Sequence, residues 1–194
     1  MRLVALCLLA SVLIPSLSRA QDVPVFAITP VQSSMKFNVK ASVPISGTFD
    51  QWNATLTFAS TDVTSGVLDV EIQAASVDTG SGLKDGKLKS ADFFDVANNP
   101  LISFKSTKIS QTGPNTFELD GNFTIRGVTR PEQLALTLSG KGTGSGTING
   151  TLYFDRKDYG MNSGIPFIRI ADRVEVNVAL KGTRVSGPPL VFKQ

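Results

Sequence analysis

Histidine is absent from all 194 residues, and cysteine occurs once. The first absence removes the commonest general base and the commonest metal ligand. A zinc site would have to be built from carboxylates alone, and a Ser-His-Asp triad is excluded. The lone cysteine, Cys7, sits in an apolar leader, so thiol chemistry and disulfide stapling are not expected of the rest of the chain. Two carboxylate pairs remain. Asp92 and Asp95 flank a short turn, where aspartate is an ordinary helix cap, and Asp155 and Asp158 belong to an Asp-Arg-Lys-Asp run that reads as a charged strand end or turn. We expect no catalytic residue, no metal and no enzymatic activity.

Aromatics with a polar handle are scarce too: one Trp and two Tyr stand against twelve Phe. An outer-membrane barrel sets Trp and Tyr girdles at both interfaces, so that architecture is disfavoured. Sustained basic stripes are missing, as are aromatics interleaved with arginines, and no nucleic-acid partner is expected. Long helical periodicity is missing as well.

What is present begins with a leader. Arg2 precedes an apolar run from Leu3 to Leu17 that is too short to cross a bilayer comfortably, and Ser18-Arg19-Ala20 supplies small residues for an export peptidase. Residues 1–20 are therefore expected to be a cleaved signal peptide and residues 21–194 one periplasmic domain. No cysteine follows the run for acylation. Losing Arg2 and Arg19 leaves 17 basic against 16 acidic residues, so the mature charge is +1 rather than the +3 of the whole chain.

Period-two alternation fills the remainder. Met35, Phe37 and Val39 alternate with polar partners, as do Ile45, Gly47 and Phe49, then Ala54, Leu56 and Phe58, then Leu68, Val70 and Ile72. Further runs pass through Ile102 and Phe104, through Phe117 to Ile125, through Leu134 to Leu138, through Ile148 to Phe154, and through Val174 to Leu180. One helical insertion is predicted at Leu83–Phe94. Strands with one apolar face and no long helix to cover them imply an all-β fold closed on itself, and we expect a single antiparallel eight-stranded barrel. Its interior would be just wide enough for its own side chains or one slender ligand. The glycine-rich stretch from Gly140 to Gly146 reads either as a flexible hairpin or as backbone that leaves room for a ligand.

Three segments carry a resemblance. Ala74 to Pro100 joins a strand to a Gly-rich bend, a short helix, the Phe93-Phe94 pair and an Asn-Asn-Pro break. Leu119-Asp-Gly-Asn-Phe-Thr-Ile-Arg-Gly-Val-Thr-Arg-Pro131 and Asp155-Arg-Lys-Asp-Tyr-Gly160 follow in order. Together they resemble the YceI-like family of exported, lipocalin-like barrels that hold polyisoprenoid-type lipids. The resemblance implies a lipocalin-like barrel with a short helical lid. It implies a bound isoprenoid-type lipid rather than a catalytic cofactor, for carriage, storage or sequestration; a polyisoprenoid, an isoprenoid quinone or a fatty-acid-like chain would suit. Relatives also suggest a homodimer. Where many relatives carry histidines, this chain has Ser33-Ser34 and Gly86-Lys87, so a histidine head-group contact is not carried over.

Inward-facing Phe37, Phe58, Phe104, Phe123 and Phe154, with Leu88, Phe93 and Phe94 on the lid, are the expected lipid-binding residues. Such a site needs length, apolar walls and dryness. Burying some 400 Å² of chain contributes on the order of 10 kcal/mol before association costs. Lys84, Lys87 and Lys89 read either as a solvated helix face or as a rim that attracts an anionic head group or a membrane surface. The alternative function is a ligand-free structural or stress-related periplasmic protein, such as a partner of a membrane redox complex.

Overall fold

The computed structural model describes residues 23–164 and 167–193; the leader and its cleavage site after Ala20 lie outside them. Eleven antiparallel strands form one sheet: β1 Val25–Ile28, β2 Ser34–Ala41, β3 Ile45–Phe49, β4 Trp52–Phe58, β5 Gly66–Gln73, β6 Val77–Asp78, β7 Leu101–Gln111, β8 Thr116–Ile125, β9 Val128–Ser139, β10 Ser145–Asp155 and β11 Ile170–Ser186. The one α-helix among the described residues, α1, spans Gly82–Lys89 between β6 and β7. Ten strands follow each other in the order β4-β5-β7-β8-β9-β10-β11-β2-β3-β6, and β1 pairs with β11 at the side of that path.

The sheet curls into a lipocalin-like barrel because alternate residues are apolar and must face one interior. On β5 the inward set is Leu68, Val70 and Ile72, and on β8 it is Phe117, Leu119, Gly121, Phe123 and Ile125. Eight strands have seven or more residues; β3, read in the sequence from Ile45, Gly47 and Phe49, is shorter, and with β1 and β6, which the alternation did not show, it raises the expected eight to eleven. These short pieces finish the seam between the two ends of the path. At one end of the barrel β6 ties the chain leaving β5 back to β3, through Thr48 opposite Asp78 and Phe49 opposite Val77. At the other end β1 lies beside β4, with the rings of Phe26 and Phe58 5.8 Å apart.

The helix is shorter than the predicted Leu83–Phe94. Ser90 leaves helical geometry at ψ 167°, and its hydroxyl donates to the Lys87 carbonyl at 2.7 Å, satisfying an end-of-helix acceptor. Phe93 and Phe94 therefore sit in the turn that follows. That turn is fixed by Asp95, held at φ 51° while its carboxylate accepts from Asn98 at 3.0 Å and Asn99 at 3.1 Å.

Candidate functional site

The barrel interior is layered. Met35, Ala54, Val70, Phe104, Leu134, Leu152 and Leu180 are all buried and line neither end of the barrel; Ala54, Val70 and Phe104 are register partners, as are Leu134 and Leu152. Glycines make room for them. A Cβ on Gly121 would lie 2.6 Å from the Phe104 ring, and one on Gly150 would lie 3.0 Å from Leu134. This septum separates two apolar cavities, one at each end.

The larger cavity, about 480 Å³, lies under α1 and the turn after it. Six of the eight expected site residues line it: Phe37, Leu88, Phe93, Phe94, Phe123 and Phe154. Two aromatic chains form its walls. Phe37, Phe49 and Phe94 run from strand to lid with centroids 5.7 and 6.0 Å apart, and Phe123 and Phe154 pack at 5.1 Å, with Tyr159, which does not line the cavity, edge-on against both at 5.2 to 5.5 Å. The other two expected residues are elsewhere. Phe104 lines neither cavity, because its ring fills the space over Gly121 in the septum. Phe58 lines the opposite, smaller cavity, where its ring covers Gly66. Alternation shows that both rings point inward, but not at what height along the barrel.

The polar groups on the large cavity are few: Ser81, Lys84, Lys87 and Arg156 are its polar and charged lining. Arg156 is the surprise, since the Asp155–Gly160 segment reads as a charged strand end, yet this guanidinium is buried. It donates to the carbonyls of Met161, Ser163 (2.9 Å) and Ala171 (3.2 Å) and to Asp172 Oδ1 at 3.1 Å. Asp172 is held below the usual carboxylate range by the hydrogen bond from Lys157 and by the charges of Lys157 and Arg156. Sequence alone offers one clue to this role: the arginine stands two residues after inward-facing Phe154, the spacing that shares a strand face.

A polar chain latches the lid. Lys87 pairs with Asp92, whose other oxygen accepts from Ser163 Oγ at 3.0 Å, and the Ser163 carbonyl accepts from Arg156. These contacts, first the Lys87 hydrogen bond and then that of Ser163, hold the Asp92 carboxyl below its ordinary value. Arg126 adds a second tie. It sits with Gly127 in the β8–β9 turn, both at positive φ, and donates to Ala91 O at 2.9 Å on one side and to the Gly160 carbonyl on the other. Asp95 and Asp155 go to local partners, Asp155 capping the next turn through Lys157 N at 2.9 Å, and Asp158 faces Arg130 of β9 at 4.0 Å. Tyr159 is buried and donates to Glu132 at 2.8 Å; burial first, then that carboxylate, pushes its ionisation well above the ordinary range.

A YceI-like domain matches residues 26–182, most of the chain. The chain belongs to the YceI-like family. A UPF0312 protein of Pseudomonas savastanoi pv. phaseolicola is 29% identical over 145 residues, covering 72% of this chain and 74% of that one. Protein YceI of Salmonella arizonae is 36% identical over 96 residues, half of each chain. Among solved structures, Burkholderia cenocepacia BcnA superposes with a TM-score of 0.72 at 24% identity, over 80% of this chain and 99% of that one. A polyisoprenoid binding domain from Saccharophagus degradans, implicated in plant cell wall breakdown, gives 0.67 at 15% identity over 83% and 99%. At these identities the structural likeness speaks to the YceI-like fold. The family match runs from within β1 to within β11, takes in the lid and the Asp155–Gly160 segment, and stops before the C-terminal residues that cross the smaller cavity.

Proposed function

We propose that this protein is an exported, non-catalytic binder of one slender apolar chain, a polyisoprenoid, isoprenoid quinone or fatty-acid-like molecule, held in the cavity beneath the lid. The observation that carries the reading is that cavity itself: about 480 Å³, walled by aromatic and aliphatic side chains, with its ionisable lining groups all cationic. Its size falls within the range of small-molecule sites, and its walls offer burial without chemistry. The polyisoprenoid-binding fold neighbour supports the same ligand class. A chain entering from the lid stops at the septum, with its polar end near Lys84 and Lys87.

The mouth also suits transient contact with a membrane. Leu83 and Val43 line the cavity and are exposed, and nearby in the chain from Ile168 stands Phe167, the one fully exposed phenylalanine of the described residues. Replacing Leu83 and Phe167 together by Ser is expected to reduce flotation with anionic phospholipid vesicles while leaving thermal unfolding unchanged. Unchanged flotation would remove the membrane role.

The alternative of a ligand-free structural protein draws on the septum, which shows part of the barrel filled by its own side chains. Organic extraction of purified protein followed by mass spectrometry separates the two. A lipid present at about one per protein is expected; consistent absence of any lipid would end the carrier reading.

A further inference from the structure

The smaller cavity lies at the end of the barrel opposite the lid and holds about 120 Å³. Leu56, Ile109, Leu119, Leu136 and Ile148 supply much of its wall, and the glycine-rich loop 140–146 and the C-terminal segment 189–192 close over it. In that loop Gly140, Gly142 and Gly144 all hold φ near 80°, a conformation that side-chain-bearing residues rarely adopt. The C-terminal segment is tied down like a strap. The Val191 N–H donates to Thr61 O at 2.8 Å, Val63 N–H donates to Val191 O at 3.1 Å, and Gln111 exchanges two hydrogen bonds with Lys193 at 2.8 and 2.9 Å. Phe192 packs edge-on to Phe117, at 6.2 Å, as a stopper.

Protein interiors seldom keep voids larger than a water, because the lining atoms lose their contacts there. Polar groups that would recruit water or an anion are already engaged. Lys141 donates to Pro114 O at 3.2 Å and lies over the Phe192 ring at 4.5 Å, and Arg184 donates to Gly187 O. A dry apolar cavity of roughly 150 Å³ is known to accept benzene or xenon. We propose that the strap end of the barrel is a second, independent binding site for one compact, uncharged apolar molecule of about the size of a benzene ring. The septum keeps it apart from the lid cavity, so occupancy of one does not require the other.

Benzene is the probe, titrated into methyl-labelled protein and followed by NMR. Saturable shifts at Ile109, Leu119, Leu136 and Ile148 are expected, whether or not the lid cavity carries lipid. Gly182 is buried, lines this cavity, and has space beside it: a Cβ there would make ordinary contacts with Ile28 at 3.6 Å and Phe26 at 3.9 Å. Gly182→Leu fills the void and should abolish the shifts; Leu138→Phe is the second filler should that variant fail to fold. Shifts confined to lid-cavity methyls such as Ile45 and Ile125, absence of saturation, or binding that survives a folded filler variant would each overturn the proposal.

Discussion

Phe94 bears directly on retention of a ligand under the lid. Its ring is buried against Phe49, yet it hangs from a turn rather than a strand, so removing it takes away wall more than framework. Phe94→Ala is expected to weaken lipid retention roughly tenfold, about 1.4 kcal/mol, with a smaller loss of fold stability. Paired dissociation and thermal-unfolding measurements decide it; a parent-like dissociation rate would show that the lid ring does not hold the ligand. Phe104 is the opposite case. Phe104→Ala removes a septum ring and should cost about 3–5 kcal/mol in denaturant unfolding, the usual range for a core phenylalanine. It should also join the two cavities, so that benzene shifts spread from the strap-end methyls to those under the lid. A loss under 1 kcal/mol would mean that the septum is not packed as described.

At the scale of elements, the lid is held by three buried apolar side chains, Leu88, Phe93 and Phe94, and by a small set of polar ties. The Lys87–Asp92–Ser163 latch gives it a pH response. Because folding lowers the Asp92 pKa below its ordinary 3.8, the stabilisation is fully present above that value and is lost as pH falls through the lower folded value. Asp85, lowered chiefly by its hydrogen bond with Thr79, acts in the same direction at the start of the helix. Amide protection across residues 82–96, taken relative to the intrinsic exchange rate at each pH, should therefore fall on acidification below about pH 4. Asp92→Asn should exchange faster already at neutral pH and respond less to acid, the remainder belonging to Asp85. An acid response identical to the parent's would rule out the latch.

For the whole molecule, stability rests on burial in a curled sheet, since no cysteine lies beyond Cys7 to staple it. The seam between β4 and β6 is bridged by short strands and side-chain packing, so edge protection depends on β1, β6 and the C-terminal strap. Export with cleavage after Ala20 is the proposed fate of the leader. N-terminal sequencing of protein recovered from the periplasm should begin at Gln21; material beginning at Met1 would contradict cleavage after Ala20.

The sequence by itself determined the class of the fold, because period-two burial is a local property that any stretch of strand displays. It likewise carried the family through the lid, the Leu119–Pro131 and the Asp155–Gly160 segments, and it told which phenylalanines face inward. What it could not carry was height along the barrel. Phe58, Phe104 and Phe123 alternate in the same way, yet they end in the strap cavity, the septum and the lid cavity, and even the register partners Phe104 and Phe123 part, because the Phe104 ring turns over Gly121. Nor could local pattern reveal Arg156 as a buried cavity wall: its partners at Met161, Ser163, Ala171 and Asp172 are brought around it only when the chain turns back into β11. The division of one barrel into two cavities is likewise tertiary, since it arises from residues of separate strands meeting over glycines that no single strand can show to be facing them.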